Sequence, residues 1–335
     1  MTRTGILGTT AWATTLGIVL ARQGHDVVLW ARSKSEAEAL SLARQNARLV
    51  PGVRFPDTLT VSSSAEAAFG GAELVFVVVP SVTMRANLRR VADAIPADAA
   101  VVSGTKGIEI ETGKRMSMLI AEELPQVAPS KIGALSGPNL APEVAGGKVA
   151  SATVAFPGEE TGRLAQEALN SEVFRVYTSD DVTGVELGGA LKNIIAIGAG
   201  IIDGMKLGDN AKAAFVTRGL HEITRLGVAL GARPDTFAGL TGMGDLVATC
   251  YSGLSRNRRV GQELGAGRNL DEILRSLGQT AEGVPTTSAA INLAKKHRVE
   301  MPIAEATRRV LFEGLTPSQA IGQLMRRAPQ PEVRL

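Results

Sequence analysis

The sequence predicts an α/β plus all-α protein, in which a doubly wound sheet is followed by a helical part. As far as about residue 180, short apolar runs alternate with stretches of helical spacing, the order typical of a parallel sheet covered by helices. Several runs, such as residues 74–79, are apolar on both faces, as buried parallel strands require. After about residue 183 the strand signals nearly vanish. We therefore expect a domain over residues 1–180, a helical domain over 184–327 and a loose tail over 328–335.

Each apolar run in the first part is short and bounded by polar or turn-forming residues, so we interpret it as a strand. The predicted strands cover residues 4–8, 26–31, 73–80, 99–104, 131–137 and 150–156. Between them, apolar residues recur at helical spacing. The predicted helices of this part cover residues 12–23, 33–48, 82–94, 112–124 and 159–170.

The second part has long helical stretches with recognisable starts and stops. Gly231 precedes Pro234, Asn269 begins one helix, and Thr316-Pro317 begins the last with proline in its first turn. The predicted helices cover residues 184–204, 210–230, 257–266, 269–277, 286–296, 302–313 and 316–326.

Composition and charge limit the class of protein. At 335 residues the chain is long enough for about two domains, each with its own core. Its one cysteine, Cys250, excludes an internal disulfide framework and has no histidine near it in sequence, so we interpret it as a packing residue. Since no Cys/His cluster predicts a zinc site, we expect no metal. With 36 Lys+Arg against 33 Asp+Glu, the net charge of +3 predicts no nucleic-acid partner.

The N-terminus and the apolar stretches predict a soluble, cytoplasmic protein without stable membrane insertion. Met1 leads directly into a strand-like segment rather than into the basic-then-apolar pattern of a signal peptide. The most apolar later stretch, residues 187–202, contains Lys192 and Asn193 and is too short and too interrupted to span a bilayer.

The turn after the first predicted strand carries the first chemical signal, because Gly8 and Ala13 match the dinucleotide pattern G-x-G-x-x-G/A. Such a turn leads a strand into a helix N-terminus that can hold a pyrophosphate, and it is typical of Rossmann-like domains. Thr10 replaces the second glycine, so its hydroxyl could bind a phosphate or its side chain could push the cofactor outward. An ordinary strand-to-helix turn is the alternative.

The end of the second predicted strand favours NADP(H) over NAD(H), with NAD(H) as the second choice. Sites that prefer NAD place Asp or Glu there, where the carboxylate holds the ribose 2′-hydroxyl. Here the strand ends in Ala31-Arg32, and a guanidinium suits a 2′-phosphate instead. A solvated surface arginine is the alternative interpretation of Arg32.

Two further loops follow buried strands and therefore lie where α/β sheets bind ligands, outside the carboxyl ends of the strands. Lys106 lies in the first loop, residues 103–109, and could contact a ligand there. The alternative interpretation is a lysine of a surface loop that is only solvated. The second covers residues 135–143, a strand-to-helix turn whose amides could face an anionic or cofactor group.

Lys192 and Asn193 lie within an otherwise apolar helical stretch, residues 186–195, in which glycines permit close helix packing. Burial disfavours the charged form of lysine and lowers its pKa, which makes the amine usable as a general acid or base. The alternative is a lysine whose ammonium reaches the surface along its apolar stem.

A glycine-rich segment, residues 239–251, contains Asp245 and is followed by Arg256 and Asn257 at the start of a predicted helix. The planar guanidinium of Arg256 can bind a phosphate. Together with the arginines two and three positions further on, it could instead form a nucleic-acid patch, although acidic residues elsewhere offset this charge.

In their order along nearly the whole chain, these segments resemble bacterial NAD(P)-dependent glycerol-3-phosphate dehydrogenases. The matching segments are the first turn with Trp12, 29–32, 105–107, 136–138, 186–193, 244–246, 255–259 and 282–283. The resemblance implies a Rossmann-like domain followed by a helical domain. It also implies reversible reduction of dihydroxyacetone phosphate to sn-glycerol 3-phosphate, a supply to glycerophospholipid synthesis, and a homodimer formed through the helical domain.

The resemblance further implies a role for each matching residue. Lys192 matches the family's proton-transfer lysine, whose ammonium protonates the developing C2 alkoxide during reduction. The matching substrate-binding residues are Lys106, Gly137, Asn139, Asn193, Asp245, Thr249, Ser255, and the phosphate-binding pair Arg256 and Asn257. The matching cofactor-binding residues are Gly8, Thr10, Ala11, Trp12, Arg32, Lys106, Ala141, Arg256 and Glu282.

The first turn departs from the family pattern G-x-G-S-W-G, because this chain has Thr10, Ala11 and Ala13. We expect the hydroxyls of Thr9 and Thr10 to replace part of the amide contact, so that cofactor binding survives. Two other functions stay open. One is a hydroxyacid or ketopantoate-type reductase, whose substrates carry a carboxylate rather than a phosphate. The other is an NADP(H)-binding sensor without turnover, which would not need Lys192.

Overall fold

The structure is a computed structural model that describes residues 1–278, 280–329 and 331–332. Its strands are β1 (Arg3–Leu7), β2 (Asp26–Trp30), β3 (Leu59–Ser62), β4 (Leu74–Val77), β5 (Ala100–Ser103), β6 (Ile132–Ser136), β7 (Ala150–Ala155) and β8 (Phe174–Ser179). They form one sheet in the order β3-β2-β1-β4-β5-β6-β7-β8. Neighbouring strands are parallel from β3 to β6, β7 is antiparallel to β6, and β8 is parallel to β7.

Helices cover both faces of this sheet and then continue alone. Those between the strands are α1 (Ala11–Arg22), α2 (Lys34–Ala43), α3 (Ala65–Phe69), α4 (Met84–Arg89), α5 (Met116–Glu123), α6 (Ala141–Ala145) and α7 (Glu159–Leu169). Those after the sheet are α8 (Val182–Gly204), α9 (Asp209–Ala229), α10 (Pro234–Ala238), α11 (Asp245–Tyr251), α12 (Arg256–Gly265), α13 (Leu270–Leu277), α14 (Gly283–Lys296), α15 (Pro302–Phe312) and α16 (Pro317–Met325). Short 3-10 turns cover Ser81–Thr83, Ala92–Ala94 and Pro129–Lys131.

This architecture confirms the predicted fold class, a Rossmann-like doubly wound sheet followed by helices. Every predicted strand is present, with ends that differ by at most three residues. Alternate residues of β4 pack on opposite faces: Phe76 belongs to one buried apolar cluster and Val77 to another. The apolar character of that run on both faces therefore reflects a sheet with helices on either side.

Two strands, β3 and β8, are missing from the predicted set. Both lie at an edge of the sheet, where one long side of the strand has no neighbour. β3 has the sequence LTVS and β8 alternates buried with exposed residues, so neither forms a continuous apolar run. An edge strand that is half exposed does not give the signal by which the central strands are recognised.

Three predicted helices are shorter or more broken than expected. The helix predicted over 33–48 ends at Ala43, because Arg44 adopts the left-handed conformation with φ 48°. The one predicted over 82–94 divides into α4 and two 3-10 turns, and the one predicted over 112–124 begins at Met116. The glycine-rich segment 239–251, for which no helix was predicted, is mostly helical: a π-helical turn, Leu240–Gly244, leads directly into α11.

α8 is the central helix of the second part. Of its 23 residues, 19 are buried, and Ile194, Ile195 and Ala199 belong to the largest apolar cluster there. By length and composition alone this helix is able to cross a membrane, but its apolar window is entirely buried inside the fold. It is longer than the predicted apolar stretch, and here its apolar surface packs against the surrounding helices.

The predicted division into residues 1–180 and 184–327 stays a prediction. The last strand ends at Ser179 and α8 begins at Val182. Of the predicted tail over 328–335, residues 330 and 333–335 lie outside the described residues.

Candidate functional site

The candidate site is a cleft of about 480 Å³ that the ends of β4 and β5 share with α8 and α12. The predicted site residues that line it are Thr10, Ala11, Trp12, Lys106, Asn139, Ala141, Lys192, Asn193, Thr249, Ser255, Arg256, Asn257 and Glu282. Gly137 and Asp245 contact Lys106, Gly8 follows β1, and Arg32 is exposed beyond the end of β2. The fold thus brings together residues that are up to 270 or so positions apart in sequence, as the carboxyl ends of a doubly wound sheet allow.

Lys192 is buried in the middle of α8, with 5% of its surface exposed. Its Nζ donates a hydrogen bond to Oδ1 of Asp245 and another, of 2.6 Å, to Oγ1 of Thr249. Asp245 and Thr249 are four residues apart on α11, so one face of this helix presents both acceptors to the lysine. The ammonium therefore ends inside the cleft, and the alternative of a lysine that extends to the outer surface does not hold.

Lys106 approaches the same carboxylate from the sheet side. Its Nζ donates to Oδ2 of Asp245 at 2.6 Å and to the carbonyl oxygen of Gly137 at 3.0 Å. Gly137 has φ +147°, and a Cβ there would lie 2.9 Å from the carbonyl oxygen of Ser151. A glycine is thus required at the end of β6 for this carbonyl to face Lys106.

The two ammonium groups and one carboxylate set the protonation of Lys192. Burial, followed by the repulsion of Lys106, lowers the pKa of Lys192, and the attraction of Asp245 opposes both, which leaves this pKa at about 8. An amine with a pKa close to neutral pH is readily protonated and readily deprotonated. The cleft therefore contains a usable general acid and base.

The far end of the cleft combines a guanidinium with two amide side chains. Arg256 begins α12 and lines the cleft, and Ser255 caps this helix by accepting from the backbone N–H of Arg258 at 3.2 Å. Nδ2 of Asn257 donates to Oδ1 of Asn193 at 2.8 Å, which links α12 to α8. A planar guanidinium and amide donors at one end of a cleft suit a phosphate group.

In the turn after β1, hydrogen bonds fix the residues that depart from the dinucleotide pattern. Gly8 has φ +116°, and its N–H donates to the carbonyl of Trp30 at 3.1 Å. The Thr10 hydroxyl accepts from the N–H of Ala13 at 3.1 Å, as the N-cap of α1, and donates to the Val78 carbonyl at 3.0 Å. The Thr9 hydroxyl donates to Glu36 at 2.6 Å. Both hydroxyls that we expected to bind phosphate therefore have protein partners.

Glu282 closes the cleft from the helical side. Its carboxylate accepts from the backbone N–H of Ser81 at 3.0 Å and from the Ser81 hydroxyl at 2.5 Å. Burial raises the pKa of Glu282, and these two hydrogen bonds oppose that shift. Since Ser81 follows β4 and Glu282 precedes α14, this contact joins the sheet to the helices at one side of the cleft.

The residues on this side fit a nicotinamide dinucleotide. A Cβ at Gly8 would lie 2.7 Å from the carbonyl oxygen of Val78, so the backbone there is as compact as a phosphate-binding turn requires. The next helix, α1, presents Ala11 and Trp12 of its first turn to the cleft. Nε1 of Trp12 is a buried donor without a hydrogen-bond partner among the described residues.

Sequence reasoning missed part of the lining. Val78, Val79 and Pro80 line the cleft at the end of β4, and Arg48 lines it beyond α2. The rule that selected Lys106, namely the position after a buried strand, did not select residues 78–80 because the strand was predicted to continue to residue 80, whereas β4 ends at Val77. Arg48 falls within a stretch predicted as helix, and nothing in its neighbourhood in the sequence distinguishes it.

Other candidate chemistries find no support in the geometry. Among the described residues, no three His, Cys, Asp or Glu side chains are grouped closely enough to hold a metal ion. Cys250 is buried, and burial raises the pKa of its thiol to about 12, so it packs as predicted and carries no thiolate.

Comparisons with known proteins identify the family of this chain. The chain matches two family models, the NAD-dependent glycerol-3-phosphate dehydrogenase N-terminus over residues 3–162 and its C-terminus over residues 181–322. It is 47% identical over 328 residues to a glycerol-3-phosphate dehydrogenase [NAD(P)+] of Chlorobium limicola, covering 98% of both chains. It is similar to the crystal structure of a glycerol-3-phosphate dehydrogenase from Coxiella burnetii, with a TM-score of 0.93, 39% identity and coverage of 97% and 99% of the two chains.

The alternative oxidoreductase is more distant. A ketopantoate reductase from Ralstonia eutropha has a TM-score of 0.59 and 16% identity over 95% of this chain and 99% of its own, so the likeness is one of fold alone. The two family models, by contrast, cover both the sheet and the helices. The chain therefore belongs to the NAD-dependent glycerol-3-phosphate dehydrogenase family.

Proposed function

We propose that this chain catalyses the reversible reduction of dihydroxyacetone phosphate to sn-glycerol 3-phosphate with a nicotinamide dinucleotide. The observation that carries the proposal is the buried Lys192, bonded to Asp245 and Thr249 in a cleft that ends in Arg256. Family membership supports the same substrate, since the relatives are named glycerol-3-phosphate dehydrogenases. A carboxylate-bearing substrate of the ketopantoate type has weaker support, because the likeness to a ketopantoate reductase, at 16% identity, is one of fold alone.

Lys192 is the proton donor in the direction of reduction. When bound, a nicotinamide dinucleotide would supply the hydride for C2 of the ketone, and the C2 oxygen would then require a proton. The Lys192 ammonium transfers its proton to that oxygen and becomes a neutral amine, so one hydride and one proton complete the alcohol. In the direction of oxidation, the neutral amine removes the hydroxyl proton.

The neighbouring groups position the substrate and the lysine. Asp245 orients both ammonium groups, since its two carboxylate oxygens accept from Lys192 and Lys106 separately. Lys106 then polarises the carbonyl oxygen as charge develops there. Arg256 and Asn257 bind the phosphate, with Thr249, Ser255, Asn193, Asn139 and Gly137 completing the substrate site. A substrate fixed at its phosphate presents C2 to the cofactor in one orientation.

The residues that would hold the cofactor are Gly8, Thr10, Ala11, Trp12, Arg32, Lys106, Ala141, Arg256 and Glu282. We expect NADPH to be preferred to NADH, because β2 ends in Ala31-Arg32 without a carboxylate for the ribose hydroxyls. The protein further acts as a cytoplasmic homodimer that supplies sn-glycerol 3-phosphate to glycerophospholipid synthesis.

The test is to follow oxidation of NADPH in the presence of dihydroxyacetone phosphate, with NADH in parallel and with Lys192→Ala as the comparison. We expect turnover that falls by a factor of ~10²–10⁴ in Lys192→Ala, since this is the usual contribution of a positioned acid. Tight NADPH binding without turnover of this substrate would indicate the sensor or a different carbonyl substrate.

A further inference from the structure

Two exposed arginines meet beyond the end of β2. Arg90 follows α4, and its Nη2 donates a hydrogen bond of 2.9 Å to the carbonyl oxygen of Arg32. The same guanidinium lies over the ring of Trp30, with 4.9 Å between Cζ and the ring centroid. Trp30 is the last residue of β2 and is buried, so it forms a rigid platform under Arg90.

Neither arginine is neutralised by a protein carboxylate. Within the part of the chain that the structure describes, no Asp or Glu oxygen lies within 4 Å of the Arg32 or Arg90 guanidinium. Arg85 and Arg89 on the preceding helix differ, because both are paired with Glu123. The end of β2 therefore carries two cationic residues that the backbone brings together, an arrangement that a bound anion would stabilise.

The pair lies next to the phosphate-binding turn. Leu7 of β1 is in register with Trp30 of β2, and the N–H of Gly8 donates to the Trp30 carbonyl. In doubly wound nucleotide-binding folds, the ribose nearest the adenine lies at the end of the second strand. A phosphate on the 2′-oxygen of that ribose would face Arg32 and Arg90.

We propose that Arg90 is a specificity-determining residue for NADPH, which binds the 2′-phosphate together with Arg32. The proposal rests on the cofactor preference given under the proposed function and adds a residue to it. Stacking on Trp30 and the hydrogen bond to the Arg32 carbonyl hold the Arg90 guanidinium in place before the cofactor arrives. Little side-chain freedom is then lost on binding, and the remaining N–H donors of Arg90 stay directed at the anion.

The proposal is tested on nucleotide binding, without turnover. Adenosine 2′,5′-bisphosphate and adenosine 5′-monophosphate differ in the 2′-phosphate, and both are titrated calorimetrically into the wild type, Arg90→Ala and Arg90→Lys. Arg89→Ala is the matched control, since it removes a neighbouring exposed arginine that pairs with Glu123. We expect Arg90→Ala to weaken binding of the bisphosphate about tenfold and of the monophosphate less than about twofold.

Arg90→Lys keeps the charge but loses the planar stack on Trp30. Its affinity for the bisphosphate should therefore lie between those of the wild type and Arg90→Ala. Arg89→Ala should leave both affinities unchanged. Equal losses for the two nucleotides in Arg90→Ala, or no loss for either, would overturn the role of Arg90. If the wild type binds both nucleotides equally, the 2′-phosphate is not recognised, and this proposal fails while reduction of dihydroxyacetone phosphate with NADH can still stand.

Discussion

The chemistry of Lys192 depends on how one carboxylate is shared between two ammonium groups. Burial alone would favour the neutral amine, and the second ammonium of Lys106 adds to that effect. Asp245 keeps the proton on Lys192 near neutral pH because its carboxylate lies in direct contact. The pKa of Lys192 therefore lies close to neutral pH, where its amine can both bind and release a proton.

The pH dependence of the two directions should have opposite signs. Reduction requires the Lys192 ammonium, so kcat/KM for dihydroxyacetone phosphate should fall above the pKa of about 8, by about tenfold per pH unit. Oxidation of sn-glycerol 3-phosphate requires the neutral amine, so its kcat/KM should rise through the same pH range. Initial rates measured in both directions from below to above neutral pH give the two profiles.

Asp245→Asn identifies the group that titrates. Since the Asp245 charge raises the pKa of Lys192, its removal should move the fall in the reduction profile to lower pH. Asp203→Asn is the control, because Asp203 pairs with Lys212 and Arg258 at the other end of α8 and should leave the profile in place. An Asp245→Asn profile identical to that of the wild type would show that another group titrates.

Thr10 shows how a residue that breaks the nucleotide pattern is accommodated. Its hydroxyl caps α1 and donates to the Val78 carbonyl, so Thr10→Ala removes both hydrogen bonds and should lower the free energy of unfolding by about 1 kcal/mol. Thr10→Ser keeps both and should unfold as the wild type does in urea. NADPH affinity should change little in either variant, and a marked loss in Thr10→Ala alone would show that the hydroxyl reaches the cofactor.

At the scale of elements, the contact of α8 with α12 determines where the proposed phosphate-binding end of the cleft lies. A Cβ at Gly261 would lie 1.8 Å from the carbonyl oxygen of Ile197, and one at Gly200 would lie 2.0 Å from that of Arg258. The helices therefore approach so closely that backbone meets backbone. This approach places Asn257, in the first turn of α12, within hydrogen-bond distance of Asn193.

Gly261→Ala should therefore cost stability although alanine favours a helix. The added methyl must displace the backbone of α8, which should lower the free energy of unfolding by about 3 kcal/mol and reduce kcat/KM through Asn257. Gly322→Ala in α16 is the matched control, because its Cβ would meet only the flexible side chain of Arg326 at 3.4 Å. That variant should be stabilised by up to about 1 kcal/mol. Urea unfolding of both variants measures the difference, and a neutral Gly261→Ala would contradict the close packing.

The elements that sequence alone predicts are those whose burial is uniform. The central strands and α8 are apolar wherever they contact neighbours, so their amino-acid composition predicts that they are buried. The edge strands β3 and β8 are half exposed, and the reversal of β7 depends on how the chain crosses the sheet rather than on any residue within it. The sequence 239–251 is glycine-rich and still helical, and tertiary packing requires one of its glycines: a Cβ at Gly242 would lie 2.0 Å from the carbonyl oxygen of Phe237 in α10.

Much of the candidate site was visible in sequence as separate residues, but its connections were not. A lysine among apolar residues predicts burial, and Lys192 is buried. Its partner Asp245 is 53 positions away, and Lys106 is 139 positions from Asp245. Only the tertiary structure shows that one carboxylate serves both. The same holds for Arg90, which is 58 positions from Arg32.

At the scale of the whole molecule, two carboxylates join the part that contains the sheet to the helices that follow it. Glu186 of α8 accepts from the N–H and hydroxyl of Ser117 at 2.7 and 2.6 Å, and from Arg115. Glu282 accepts from the N–H and hydroxyl of Ser81. The second contact lies at the cleft and the first does not, since only Glu282 is part of the lining. Their removal should therefore have different consequences.

Ser81→Ala should weaken the binding of both cofactors alike. The hydroxyl bond to Glu282 is lost while the backbone bond remains, so the carboxylate is less firmly held over the cofactor side of the cleft. We expect the Michaelis constants for NADPH and NADH to rise together by about threefold to tenfold, which leaves their ratio unchanged because the site proposed for the 2′-phosphate, at the end of β2, does not include Ser81 or Glu282. Ser117→Ala is the matched control, because it removes the hydrogen bond from the Ser117 hydroxyl to Glu186. This variant should lower the free energy of unfolding by about 1–2 kcal/mol and leave both Michaelis constants unchanged. Steady-state kinetics and urea unfolding of the two variants distinguish the contacts. Unchanged Michaelis constants in Ser81→Ala would mean that the contact at the cleft only stabilises the fold, as the contact at Ser117 does.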